Sequence, residues 1–226
     1  RVNDIFKLTD RSRQKNFYGV TNPFVLPDHS GVRDYDVTAL DGGHLLVMLN
    51  NAQWISQKQI FGAVHAGVDR RTVEYPNAKD RWYPATSPDA FVTIVRKESP
   101  PTEREIVDAI HSQFDCALQR PASDDELDRY VPLLRSTIEL GGNTEGLRQM
   151  LVSVLLESEF LYRHEFGEGE ADSHGRKKLS PREAARAISY ALSDLGPDAE
   201  LQKAANEGRL ATTEDYAREV QRLLAD

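Results

Sequence analysis

Cys116 is the only cysteine in 226 residues, which excludes an internal disulfide, a thiolate-rich zinc site and a CxxCH attachment sequence for c-type haem. Its neighbours on a predicted helix are Asp115 and Ala117, with no adjacent histidine to lower its pKa, so it reads as a buried, inert thiol. Positive charge is also scarce. The 28 Lys and Arg face 36 Asp and Glu, a net charge of -8, which excludes a general nucleic-acid binder because phosphate neutralisation needs a concentrated basic surface. The short run Arg176-Lys177-Lys178 does not reverse that balance and reads as solvated linker. No stretch reaches the ~20 apolar residues of a membrane helix, so no transmembrane segment is expected. The Asp41-Gly42-Gly43 pair lacks the phosphate-cradling spacings GxGxxG and GxxxxGK[ST] and signals only a hinge or cap. Ser30, Ser112 and Ser158 lack the GxSxG setting of a hydrolase nucleophile, and the six histidines form no HxxxH or HExxH pair.

Apolar periodicity is plentiful, above all in Asn143 to Phe166. Leu147, Met150, Leu151, Val154, Leu155, Leu161 and Tyr162 fall at helical spacing, and Val152, Leu156 and Phe160 widen the stripe until it nearly encircles the helix. Such a helix belongs in a core. Asn143 or Thr144 is its expected cap, and Gly167 with Gly169 its expected end.

The fold expected is mainly α: consecutive helical units, with an irregular segment in the amino-terminal half that could include two strands. Residues 1–101 are the irregular region. It opens with a short helix to about Gln14 carrying Val2, Ile5, Phe6 and Leu8, followed by a loop-rich part anchored by Phe17, Tyr18, Phe24 and Tyr35. A helix follows with Leu45, Leu46, Leu49, Gln53, Trp54, Ile60 and Phe61 on its core side. RTVEYP and FVTIVRK, rich in β-branched and aromatic residues, predict a two-stranded excursion or an extended surface segment. Residues 102–168 are a three-helix unit. Thr102 caps the first helix, with Ile106, Ile110, Phe114 and Leu118 as its buried stripe; Ser123 and Glu126 form a capping box for the second, which Pro132 could kink and Gly141-Gly142 stops. After the polar linker GEGEADSHGRKK, residues 179–226 start a second helical unit, with Ser180 as cap, Pro181 at the first helical position and Glu183 in the capping box. Thr212 or Thr213 caps its last helix. The chain begins at Arg1 without Met and stops at Asp226 without a terminating Gly or Pro, so a processed product or an excerpt is expected, its last unit cut off before the core can close.

Three stretches carry a resemblance: RPASDDELDRYVPLLR, GLRQMLVSVLLESEFLYRHE, and LSPREAARAISYALSDLGPDAELQKAANEGRL with its terminal REVQRLLAD. Together they resemble consecutive segments of an exported multidomain family abundant in planctomycetes, the 1587/1595/1592 series of domains of unknown function. Its SPEFLYR-like helix corresponds to Ser158 to Arg163, and its LSxxExAxxxSY opening to Leu179, Ser180, Glu183, Ala185, Ser189 and Tyr190. The resemblance is specific from about Glu103 onward. Where the family usually continues SYFLW, this chain has Ser189-Tyr190-Ala191-Leu192-Ser193, without the following aromatic pair.

Many family members carry c-type haem motifs outside the corresponding region. The resemblance therefore implies a periplasmic or otherwise exported protein, part of a c-type-cytochrome-linked oxidoreductase or electron-transfer assembly. This chain would serve as helical scaffold or haem-pocket wall, packed against haem-bearing portions of the same polypeptide or companion chains. Any haem c is attached outside this chain, since no CxxCH lies within it.

Within that frame His65, in the small-residue segment AVHAG, and His111, at the edge of a buried stripe, are candidate axial ligands. Arg163 is a candidate partner for a haem propionate, with Tyr162 as its hydrogen-bonding neighbour. Simpler structural readings stand beside these: His111 as a core histidine satisfied by a carbonyl, Arg163 as a cation complementing a helix C-terminus, and Tyr162 as part of the apolar face. Acidic runs such as Asp124-Asp125-Glu126 coincide with helix starts, so capping explains them without a glycosidase pair. Two alternatives to the redox reading remain: a structural subunit, and a module binding a polymer or surface partner through Trp54, Trp82 or Tyr83.

Overall fold

Local chemistry sets several of the helix starts read from the sequence, among them those at Thr102, Ser123 and Ser180, in the computed structural model, which describes residues 42–69, 71–74, 83–84, 86–162, 164–193 and 195–225. Eight helices lie among them: α1 Gly42–Val64, α2 Asp89–Arg96, α3 Glu103–Leu118, α4 Asp124–Leu155, α5 Ser158–Leu161, α6 Pro181–Ser193, α7 Ala199–Asn206 and α8 Thr213–Ala225. Thr102 and Glu105 form a complete capping box on α3, and Ser123 and Glu126 another on α4. The expected opening helix and the anchors Phe17, Tyr18, Phe24 and Tyr35 lie outside the described residues.

The mainly α class holds, and no strand occurs among the described residues. FVTIVR, read as strand-forming, lies in α2. Its β-branched content favours a strand, but Phe91 and Ile94, three apart, are both fully buried, and Asp89 and Arg96 complement the two ends of the helix dipole. Tertiary burial of one helical face overrides the local preference.

The described residues up to Leu161 form one compact unit, and those from Tyr162 another. In the first, α1 packs on α2 and α4, and α3 packs on α2 and α4. Phe91, Ile110, Phe114, Leu134, Met150 and Leu151 are fully buried there, so one core serves helices on both sides of Pro101. The face of α1 that enters it differs from the expected one. Met48, Ala52, Ile55, Ser56, Gln59 and Ala63 are buried, whereas Leu45, Leu46 and Trp54 are exposed. Small side chains at 52, 56 and 63 let α1 approach its neighbours closely, and burial followed that fit rather than side-chain size.

α4 is a helical hairpin. Gly142 is its one residue with non-helical torsions (φ 80°, ψ 172°), a conformation open to glycine, and there the chain reverses. The two limbs meet so closely that a Cβ on Gly146 would lie 2.6 Å from the Ile138 backbone nitrogen. Pro132 introduces no such break; it and Asp128, whose carbonyl loses its helical donor there, are both exposed residues. Asn143 does not cap the second limb. Its Nδ2 donates to the Lys97 and Ser99 carbonyls at 2.7 and 2.9 Å, tying the hairpin tip to the α2–α3 connection.

The second unit is smaller. Ser180 and Glu183 form the expected capping box on α6, and Glu183 also accepts from the Phe166 and Gly167 amides at 2.9 and 3.3 Å. Asp198 caps α7 and Thr212 caps α8. Ala185, Leu201, Ala204, Ala205 and Leu210 are buried together, with Ile188, Tyr216 and Leu223 packed against them. The polar linker is ordered by backbone pairing: the Glu168 amide donates to the Lys178 carbonyl and the Asp172 amide to that of Arg176, both at 2.8 Å.

Candidate functional site

The continuous helix expected over Asn143 to Phe166 ends at Leu155, and the reason is electrostatic. Glu126 and Tyr130 lie one turn apart on α4. Tyr130 donates to Glu157 at 2.7 Å, and Arg120 bridges Glu126, at 2.5 and 2.6 Å, to Glu159, at 2.8 and 3.0 Å. On an unbroken helix, positions 157 and 159 would point about 200° apart and could not serve the same face. The break before the single turn α5 aims both carboxylates at that face.

Glu126 and Tyr130 are buried in this cluster, and Arg120, Glu157 and Glu159 are half-buried. Burial alone would raise the Glu126 carboxyl, but hydrogen bonds from Arg120 and Ser123 outweigh it and bring the pKa down to about 2. The Tyr130 hydroxyl is pushed well above the ordinary phenol range by burial and by its bond to Glu157. Arg120 also lies over the Phe114 ring, 5.3 Å from its centroid. Each carboxylate has a hydrogen-bond donor, Arg120 serving both Glu126 and Glu159 and Tyr130 serving Glu157. The arrangement locks the α3–α4 junction and offers no poised acid, base or open coordination position.

The two histidine candidates lie apart, and their ring nitrogens are used differently. His65 follows the last residue of α1. Its backbone amide, at 3.1 Å, and its Nδ1, at 2.9 Å, both reach the Phe61 carbonyl, one of the acceptors a helix end leaves over. The imidazole stacks on the Phe61 ring at 4.1 Å, with Tyr83 beside both. With Nδ1–H donating, Nε2 keeps its lone pair, the state in which a neutral imidazole binds a metal. His111 has the opposite arrangement: its Nδ1 accepts from the Ala122 amide at 3.1 Å. A neutral ring then carries its proton on Nε2 and has no second lone pair to offer. Tyr162 is half-buried at the head of the second unit. Arg163 lies outside the described residues, as does Trp82. Tyr83 is 6% exposed, so it presents no binding surface.

Among the described residues no three His, Cys, Asp or Glu side chains converge as a metal site. One surface groove, about 660 Å³, is bordered by Lys97, Arg135, Glu139, Asn143 and Thr144. Its cations are already matched, Lys97 by Glu105 at 2.6 Å and Arg135 by Glu103. Another groove, about 300 Å³, is lined by Asn50, Gln53, Trp54, Gln57 and Arg148. Of the aromatic binding candidates within the described residues, only Trp54 remains at the surface. The α1 periodicity placed Trp54 on the core side, whereas the polymer-binding alternative needed it at the surface, where it lies.

Residues 179–226 match the family model described as PSD4, protein of unknown function (DUF1592). No curated protein and no solved structure matches the chain. The match spans the three helices of the second unit, and the motif residues in it have structural work. Ser180 and Glu183 cap α6, Ala185 enters the small core, and Ser189 Oγ donates to the Leu195 carbonyl at 3.0 Å.

Proposed function

We propose that this chain is a helical scaffold within an exported, c-type-cytochrome-linked oxidoreductase or electron-transfer assembly, and that His65 is the residue it offers to a haem attached elsewhere. The observation that carries the reading is the Nδ1 bond from His65 to the Phe61 carbonyl, which fixes the ring and leaves Nε2 able to ligate. The stacked Phe61 ring and the neighbouring Tyr83 give that imidazole the apolar surroundings in which an axial ligand tunes a haem. The cytochrome context is what the resemblance of the helical stretches implies; the family match to residues 179–226 supports that resemblance for the second unit. A bound haem would contribute one-electron transfer. The chain's own residues would orient the imidazole and restrict water around it.

The test is a pyridine haemochrome spectrum of the full native protein, with intact masses of its polypeptides, followed by the same protein carrying His65→Ala or His111→Ala. A c-type spectrum is expected, with the haem mass on another portion or a companion chain. His65→Ala should alter the visible spectrum and the reduction potential, and His111→Ala should leave both in place. A colourless native protein, or a spectrum indifferent to His65, rejects the proposal.

A further inference from the structure

The groove around Trp54 is built differently from the rest of the surface. Asn50, Gln53, Trp54 and Gln57 stand at i, i+3, i+4 and i+7 along α1, so one helical face presents three amides around an indole. That face is turned away from the core, and Trp54 is 39% exposed. Arg148 closes the groove from the second limb of α4. Glu145 holds its Nε and Nη2 at 2.8 and 2.6 Å, which fixes the guanidinium, offsets its charge and leaves three N–H donors unused by that pair. None of the three amide side chains hydrogen-bonds to another described residue. Lys58 Nζ lies 5.7 Å from the indole centroid but does not line the groove.

We infer that this groove is a binding subsite for a pyranose unit of a neutral glycan. A sugar ring has an apolar C–H face and a rim of hydroxyls that both donate and accept. An indole face matches the first, and amides, which carry both a carbonyl acceptor and N–H donors, match the second. The volume of about 300 Å³ lies at the low end of small-ligand sites, on the scale of one ring. Other ligand classes fit less well. An anionic ligand would meet one arginine already balanced by Glu145, a nucleic acid would also face a net charge of -8, and an apolar ligand would strip water from three amides and give nothing back. The inference is independent of the haem reading, since it concerns a different face of α1 and a different chemistry.

Affinity electrophoresis of the full chain through gels containing hydroxyethylcellulose, xyloglucan or laminarin tests it, with polygalacturonate as the charged control. A Trp82→Phe background makes Trp54 the single indole for fluorescence titration with the matching oligosaccharides. At least one neutral polysaccharide should retard the protein and change Trp54 emission. Trp54→Ala should weaken binding about tenfold or more, and the double change Gln53→Ala with Gln57→Ala several-fold, with far-UV circular dichroism unchanged. If Trp54→Ala perturbs folding, the double amide variant decides. No retardation by any neutral polymer, retardation by polygalacturonate alone, or binding that survives the amide changes overturns the proposal. None of these outcomes depends on whether the native protein contains haem.

Discussion

The two units solve the same problem with different means. The first buries large side chains, Phe91, Phe114, Leu134 and Leu151 among them, and adds a matched polar cluster at the α3–α4 junction. The second has a small, alanine-rich core around Leu201 and Leu210 and relies on its helix ends. Asp198 illustrates the second strategy: it caps α7 and also receives a two-pronged bond from Arg222, at 2.8 and 3.0 Å, tying α8 to the start of α7. Where apolar area is short, polar groups at helix termini carry the specificity; where it is ample, they adjust a fold that burial already holds.

The largest test of this contrast removes a core side chain from each unit. Phe114→Ala should cost the first unit about 3–5 kcal/mol and Leu201→Ala the second about 2–5 kcal/mol. Because the units are compact in themselves, calorimetry should show each variant lowering one transition while leaving the other near its wild-type temperature. A single transition shifted equally by both would break the comparison.

Gly146→Ala should have the next largest effect. Its Cβ would meet backbone atoms of Ile138 at 2.6 and 2.7 Å, and backbone cannot swing aside as a flexible side chain can. About 1–3 kcal/mol should be lost from the first unit, measured by urea denaturation, with no change in the second. A neutral result would mean that the α4 limbs are not closely packed.

The smallest effect is a pH dependence. The Glu126 carboxyl is depressed from 4.5 to about 2 in the folded state, so its stabilisation is complete above about pH 5 and is lost as pH falls through about 2. The stability difference between wild type and Glu126→Gln should therefore be flat from neutral pH down to about 5, then narrow towards pH 2. A difference that widened on acidification would contradict the Arg120 pairing.

How much of this was legible in the sequence depended on the range of the interaction. The starts at Thr102, Ser123, Ser180 and Thr212 were readable because a cap and its carboxylate partner lie within one turn of each other. The candidate sites were less legible. His65 and His111 look alike in one dimension, and only the Phe61 carbonyl beside one and the Ala122 amide beside the other separate them chemically. Trp54 fitted both a core position and a surface binding aromatic, because helical spacing by itself does not say which face of α1 is buried.

By itself the sequence determined the helical class, the caps at Thr102, Ser123 and Ser180, the need for glycine at the α4 reversal and the impossibility of an internal disulfide, since each follows from one residue or a few adjacent ones. The tertiary structure alone decided which face of α1 is buried, that FVTIVR is helical, and that the chain breaks after Leu155. Those outcomes rest on contacts between residues distant in the chain, where close fit and the pairing of Arg120 with Glu126 and Glu159 outweigh local preference.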